Sequence, residues 1–373
     1  MVPLLSNGGM ILNPRPKERR EDLFDREGEV EALKNAISRF PLTLLLGMRR
    51  VGKTSVLKVV LNEVGGVYID ARALYSASGG WITNGALTDA FERALNGLRS
   101  PLRQRVAEAL KRVKGVSVAG VSISFDSGTR LPDVLAALND LGSEAVVAFD
   151  EAQYLRYYGA RGGRAVLAMI AFAYDNLENV RFVLSGSEVG LLHDFIGVDD
   201  YESPLYGRVY GEVTIEPFSR ELSKEFLAAG LREVGVEVSE GELERAVELL
   251  DGIPGWLVEL GWRYVETRDL ERALQDVVVR AEKFLRGELR ELERRSRRYV
   301  LILKAIARGV DRWEMIKDFV SARERGGGRI PNARLAELLR NLEKMGWIRK
   351  VYERDVKRYE IVDPVVLRVL RRL

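Results

Sequence analysis

Gly47-Met48-Arg49-Arg50-Val51-Gly52-Lys53-Thr54 fits the eight-position pattern of a phosphate-binding loop, and its flanks suit that reading. Leu42 to Leu46 before it is a short apolar run of the kind that forms a buried strand. Ser55 to Leu61 after it reads as the start of a helix. The two glycines let backbone N–H groups turn inward and approach a phosphate chain closely. The helix N-terminus adds partial positive charge where β-phosphate oxygens would lie. Lys53 is expected to reach the β- and γ-phosphates and the Thr54 hydroxyl to hold Mg²⁺. Met48, Arg49, Arg50, Val51 and Ser55 complete the residues expected to line bound ATP or ADP.

Working outward, Asp150-Glu151-Ala152-Gln153 closes a second apolar run, Ala145-Val146-Val147-Ala148-Phe149. A carboxylate at the end of a buried strand beside a phosphate loop is the usual second anchor of hydrated Mg²⁺. Asp150 is therefore assigned to the metal with Thr54. Glu151 is placed to polarise a water for attack on the γ-phosphate, which argues for hydrolysis and against a small-metabolite kinase. The Lys53-to-Asp150 separation leaves room for one more strand between theirs. That arrangement resembles the additional-strand branch of P-loop ATPases, whose next strand ends in a polar group near the γ-phosphate or attacking water. Arg181-Phe182-Val183-Leu184-Ser185-Gly186-Ser187 supplies Ser185 or Ser187 for that place.

The rest of the composition narrows the class. A chain of 373 residues is expected to hold two or three domains, and 46% hydrophobic residues suffice for real cores. No apolar run reaches the length of a membrane span, and Met1 to Leu12 has no basic start and is broken by Pro3, Asn7, Gly8 and Gly9. With no cysteine and the single histidine His193, disulfides, thiolate chemistry and a His-based zinc or catalytic centre drop out. Charged residues make up 30% of the chain and glutamine is scarce, as on the ion-pair-rich surface of a thermophile. A cytoplasmic protein is expected.

Charge is unevenly spread. Residues 286–373 carry 24 Lys/Arg against 13 Asp/Glu, whereas residues 1–285 carry 34 against 42. A basic C-terminal third on an acidic body suggests that this part meets a polyanion. Strands at Gly66 to Asp70, Ala145 to Phe149, Arg181 to Ser185 and Val213 to Ile215 alternate with helices at Gly28 to Arg39, Leu87 to Leu98, Leu102 to Val113 and Arg164 to Leu177. That alternation predicts a parallel, doubly wound α/β sheet. Val116 to Phe125 reads as an inserted hairpin. After Pro217-Phe218-Ser219 the pattern becomes helical, with Arg220 to Val234, Ser239 to Leu250 and Pro254 to Val265 as a lid-like bundle. Glu266 to Arg298 is a charged helical connector. Three helices (Val300 to Arg308, Arg312 to Ala322, Asn332 to Met345) and a hairpin, Trp347 to Val351 with Arg358 to Val362, describe a winged helix. The apolar stripe Leu335, Leu338, Leu339 and Leu342 faces its core. The domains expected are 1–217, an ATPase core, 218–285, a helical lid, and 286–373, the winged helix.

With these motifs in place, the chain resembles the archaeal AAA-related ATPases, similar to the signal-transduction ATPases with numerous domains and to replication-initiator ATPases. The resemblance rests on Phe24-Asp25-Arg26-Glu27, Gly47 to Thr54, Asp150 to Gln153, Leu184-Ser185-Gly186-Ser187, Tyr206-Gly207-Arg208, Pro217-Phe218 and Gly252-Ile253-Pro254-Gly255. The C-terminal Met345-Gly346-Trp347-Ile348 and Ile361-Val362-Asp363-Pro364 extend it over nearly the whole chain. It implies that Phe24 and Arg26 pack near adenine and ribose, and that Pro254 presses on the nucleotide from the lid. It also implies that Arg208 approaches a γ-phosphate from the same or a neighbouring subunit; a surface ion pair is the other reading of that residue. The family's lid arginine has no counterpart beside Gly-Ile-Pro-Gly-Trp. Together these readings give an ATP-hydrolysing switch coupled to a winged helix. Its output is either duplex DNA bound through residues 286–373 or a protein partner, with nucleotide-dependent self-association a further expectation and no membrane.

Overall fold

A computed structural model describes residues 10–324, 328–353 and 355–373. Arg354, expected on the wing, and most of the Met1–Leu12 stretch lie outside the described residues. The chain forms two compact units, Arg15–Glu216 and a second made of Pro217–Leu373 with the segment up to Pro14.

The first unit runs α1 (Glu27–Arg39), β1 (Leu42–Leu46), α2 (Lys53–Val64), β2 (Gly66–Asp70), α3 (Ala71–Ala77), α4 (Asn84–Asn96) and α5 (Leu102–Leu110). A small hairpin, β3 (Val116–Ala119) and β4 (Ser122–Phe125), precedes α6 (Leu131–Asn139) and β5 (Ala145–Asp150). Then come α7 (Arg164–Asn176), β6 (Val180–Gly186), α8 (Val189–Ile196) and β7 (Gly211–Thr214). Five strands make one sheet in the order β2-β5-β6-β1-β7, every pair parallel. Strand β6 thus lies between the strand before the phosphate loop and the strand ending in Asp150, where the sequence left room for it. All of β1 is buried because both faces of a parallel sheet are covered. Leu42, Leu44 and Leu46 join the core that also holds α4 to α8, and Leu45 joins the one formed with α1 and α2.

Helices α3, α6 and α8 were not expected from the sequence. Helix α6 is short and buries Leu131, Val134, Leu135, Ala137 and Leu138, an apolar run that periodicity alone does not tell from a strand. Helix α3 follows β2 without a loop, Asp70 ending the strand and capping the helix through Ala73 N at 2.8 Å.

The second unit opens with α9 (Arg220–Glu233), α10 (Glu240–Leu250), α11 (Pro254–Thr267) and α12 (Leu270–Arg295). Ser219 caps α9, and Ser239 with Glu242 forms a capping box on α10. Helix α12 ends at Arg295, where extended Ser296 caps α13 (Arg297–Ala307); α14 (Trp313–Ser321) and α15 (Asn332–Lys344) come next, followed by the antiparallel pair β8 (Ile348–Glu353) and β9 (Val356–Ile361). Leu335, Leu338, Leu339 and Leu342 are the buried stripe of α15. A last helix, α16 (Pro364–Arg372), was not expected; Asp363 caps it and also accepts Trp256 Nε1 at 2.9 Å. The described residues up to Pro14, from Met10 on, are a strap on this unit. Ile11 N donates to Glu233 at 2.8 Å and Trp262 Nε1 donates to the Leu12 carbonyl at 2.6 Å. Leu12 is buried, and a Cβ on Gly230 or Gly261 would meet its side chain at 2.5 and 2.7 Å.

Candidate functional site

The loop Gly47–Thr54 follows β1 at the carboxyl edge of the sheet. Gly47 has φ 148°, and a Cβ there would sit 2.5 Å from the Ile215 carbonyl, so only glycine fits between loop and β7 tail. Gly52, at φ 108°, is the N-cap of α2. Arg50 takes the left-handed turn at φ 66°. Lys53 is buried, and its Nζ donates to the carbonyls of Gly47 at 2.8 Å and Met48 at 2.9 Å. Burial lowers the ammonium below lysine's ordinary range, against the pull of Glu151 and Asp150.

Asp150 and Glu151 follow from β5 as the sequence placed them. Thr54 Oγ1 donates to Asp150 Oδ2 at 2.7 Å, Tyr68 OH donates to the same oxygen at 2.9 Å, and Ser185 Oγ donates to Oδ1 at 2.6 Å. Burial, then the adjacent Asp150 charge, pushes the Tyr68 phenol far above its usual range, so it remains a donor. Glu151 sits in the left-handed region at φ 51°, which turns its carboxylate back toward β6. There Ser187 Oγ and Gln153 Nε2 each donate to Glu151 Oε2 at 2.6 Å. Burial alone would raise the Glu151 pKa; the Lys53 charge and those two hydrogen bonds outweigh it and hold the group below the usual carboxylate range. Arg49 pairs with Glu188 at 2.7 Å.

Thr54, Asp150, Glu151 and Ser185 therefore meet in one hydrogen-bonded cluster, and Lys53 is coupled to its two acids by charge. Both serines offered by the sequence are used, Ser185 on Asp150 and Ser187 on Glu151. Ser55 Oγ accepts from Lys17 N at 3.1 Å. Arg26 is buried, donates to the carbonyls of Glu216 at 2.8 Å and Val51 at 3.4 Å, and pairs with Glu29, which fixes it behind the loop; Phe24 is partly exposed just before it. Arg208 is elsewhere: it pairs with Asp175 at 2.5 Å and lies 5.6 Å from the Tyr174 ring. Pro254 opens α11 in the second unit. Tyr68 and Glu188 were not singled out by sequence, and Gln153 was quoted there without a role. The signal available for Tyr68 was a phenol in an apolar strand, for Glu188 an acid directly after Ser187.

The donor set fits a magnesium nucleotide. A threonine hydroxyl and a carboxylate 2.7 Å apart are hard oxygen ligands, and the lysine already satisfies itself on oxygen acceptors. A phosphate loop after an inner strand of a parallel sheet, with paired acids at the end of the strand two away, defines the P-loop ATPase class. A family model described as the ATPase domain predominantly from Archaea matches residues 23–260, and the winged helix-turn-helix model of the MCM protein C-terminus matches 293–362. The chain belongs to that archaeal ATPase family and ends in a winged-helix domain. Among solved structures, the Walker-type ATPase of Pyrococcus abyssi is 48% identical at a TM-score of 0.86, covering 97% of this chain and 100% of that one. The ORC2 protein of Aeropyrum pernix, determined as ADPNP and ADP complexes, shares the fold at 14% identity and a TM-score of 0.61, covering 97% and 96%. No curated protein matches. Among the described residues no helix is long and apolar enough to cross a membrane.

Proposed function

We propose that the chain binds ATP with Mg²⁺ at Gly47–Thr54, hydrolyses it, and passes the nucleotide state to its winged helix. The observation that carries this reading is the Thr54–Asp150 contact at 2.7 Å beside the buried Lys53. Lys53 exchanges its two carbonyl acceptors for β- and γ-phosphate oxygens. Thr54 and Asp150 hold the metal, which neutralises charge developing on the phosphates. Ser185 and Tyr68 fix the Asp150 carboxylate, so its oxygens need no reorganisation at the moment of reaction. Glu151, kept ionised, orients and deprotonates the attacking water. Phe24 and Arg26 border the base side of the loop. Arg15–Glu216 supplies the catalytic core, 218–285 the lid and 286–373 the output domain, in the cytoplasm where ATP is made available. The test is titration of the whole protein with Mg-ATP and phosphate release: no binding at micromolar protein overturns the reading.

Arg208 serves another copy if it serves any. It lies three residues before Gly211, which pairs beside Thr43, while Gly47 is four residues further along β1. At roughly 3.3 Å per residue that is about 13 Å of strand, and Asp175 anchors the guanidinium at the far end. Nucleotide-dependent self-association would bring it to a neighbour's γ-phosphate.

For the output, duplex DNA is supported by the charge of residues 286–373 and by the winged-helix architecture. Arg334, Arg340 and Lys344 stand on α15, with Lys350, Lys357 and Arg358 on the wing. A protein partner is favoured by a specific feature: Arg334 pairs with Glu337, Arg349 with Glu360, Lys350 with Glu343, and Arg358 with Asp311 and Glu353. Titration of the ATP-bound protein with random duplex decides between them. DNA binding predicts affinity that falls steeply with salt as counterions are released; no binding at low salt favours the protein partner.

A further inference from the structure

The end of β6 touches the candidate site three times in four residues. Ser185 bonds Asp150, Ser187 bonds Glu151, and Glu188 bonds Arg49. The first two are neutral hydroxyls on acids. The third is a carboxylate, 8% exposed, set against a guanidinium of the phosphate loop itself. Glu188 stands at the start of α8 yet makes no side-chain cap there, so its carboxylate is directed at Arg49 instead of the helix amides. A buried acid beside an anion-binding loop opposes the anion and engages a cation that could meet it. Arginine's planar fork is suited to a phosphate as much as to a carboxylate.

We propose that Arg49 reads the γ-phosphate and that Glu188 is its competing resting partner. A triphosphate draws the guanidinium off Glu188; a diphosphate leaves the pair in place. The released Glu188 is the point at which α8 registers the third phosphate. Position supports γ over β: Ser187 at the same strand end holds Glu151, whose water must lie next to the γ-phosphate, whereas the loop amides serve the β-phosphate. This inference rests on the reading of the loop as an ATP site.

The experiment is calorimetric titration of the full-length protein with Mg-ATP and Mg-ADP, using wild type, Glu188→Gln, Arg49→Ala, the double variant and Lys53→Ala. Removing the competing charge tightens ATP by roughly tenfold and ADP by less than about twofold, the range of one charged hydrogen bond. Arg49→Ala loses the preference for ATP over ADP, and Glu188→Gln has no effect in its background. Glu188→Ala with a wild-type melting curve replaces Glu188→Gln should the latter not fold. An unchanged ATP-to-ADP ratio in the Glu188 variant, or the same gain without Arg49, overturns the proposal while leaving the ATP site intact. Failure of the wild type to bind ATP, or undiminished binding by Lys53→Ala, overturns the underlying reading and this inference with it.

Discussion

Replacing Lys53 by methionine separates two effects of opposite sign. In the free protein the ammonium is 5% exposed, bonded only to backbone carbonyls, and its pKa is lowered by burial. A lysine whose pKa falls on folding destabilises the native state wherever it must be charged. The unfolded chain then binds more protons, so stability rises with pH from the folded pKa up to lysine's ordinary value. Methionine has similar length and no charge, so the nucleotide-free variant should melt at or above wild type and lose that alkaline rise. With Mg-ATP the order reverses. A ligand at a hundred times its Kd adds about 2.7 kcal/mol, which for a unit of about 200 residues raises Tm by about 5–10 °C. Two charged hydrogen bonds to phosphate contribute about 1.5–3 kcal/mol each. Their loss weakens binding by about two orders of magnitude or more, leaving the same ligand concentration near or below Kd and the shift under about 2 °C. Scanning calorimetry with and without Mg-ATP measures both arms. A Lys53→Met protein that keeps the wild-type nucleotide shift would refute the assignment of the loop.

Glu151→Gln should bind Mg-ATP like wild type but release phosphate about 10²–10⁴-fold more slowly, the contribution of a positioned base; undiminished single-turnover hydrolysis would mean another group activates the water. If Arg208 acts between copies, Arg208→Ala and Lys53→Met should each be inactive alone and recover turnover when mixed, and a steady-state phosphate assay showing no recovery excludes it. Leu12→Ala should destabilise the second unit by about 2–5 kcal/mol, because the socket between Gly230 and Gly261 cannot close around a smaller side chain. Denaturant unfolding followed by tryptophan fluorescence reads this through Trp262, whose indole bonds the Leu12 carbonyl.

Contiguous motifs were the legible part. The leucine-rich β1 between Pro41 and Gly47, the stripe of α15 and the Asp-Glu pair at the end of β5 each carry their meaning within a few residues. The remainder depends on register. Tyr68 finds Asp150 across 82 residues because β2 lies beside β5 with Asp70 opposite Asp150. Glu188 finds Arg49 across 139 residues because β6 was inserted next to β1. The same holds for the wing: the surplus of arginine was countable, but the carboxylates opposite Arg349 and Arg358 emerge only from the pairing of β8 with β9 and its neighbours. Helix α16 was legible in principle, since Asp363-Pro364 is a capping residue followed by proline at the first helical position.

The strap at Ile11–Leu12 sets an order of events on the ribosome. Leu12 emerges more than two hundred residues before Gly230 and Gly261, the residues that shape its socket. Arg15–Glu216 has its whole sheet in hand by then and can fold as it is made. Until α9 and α11 are synthesised, an apolar leucine and its neighbours wait without a partner. The second unit is therefore closed by a segment made long before its socket, and its completion reports that translation has passed the lid.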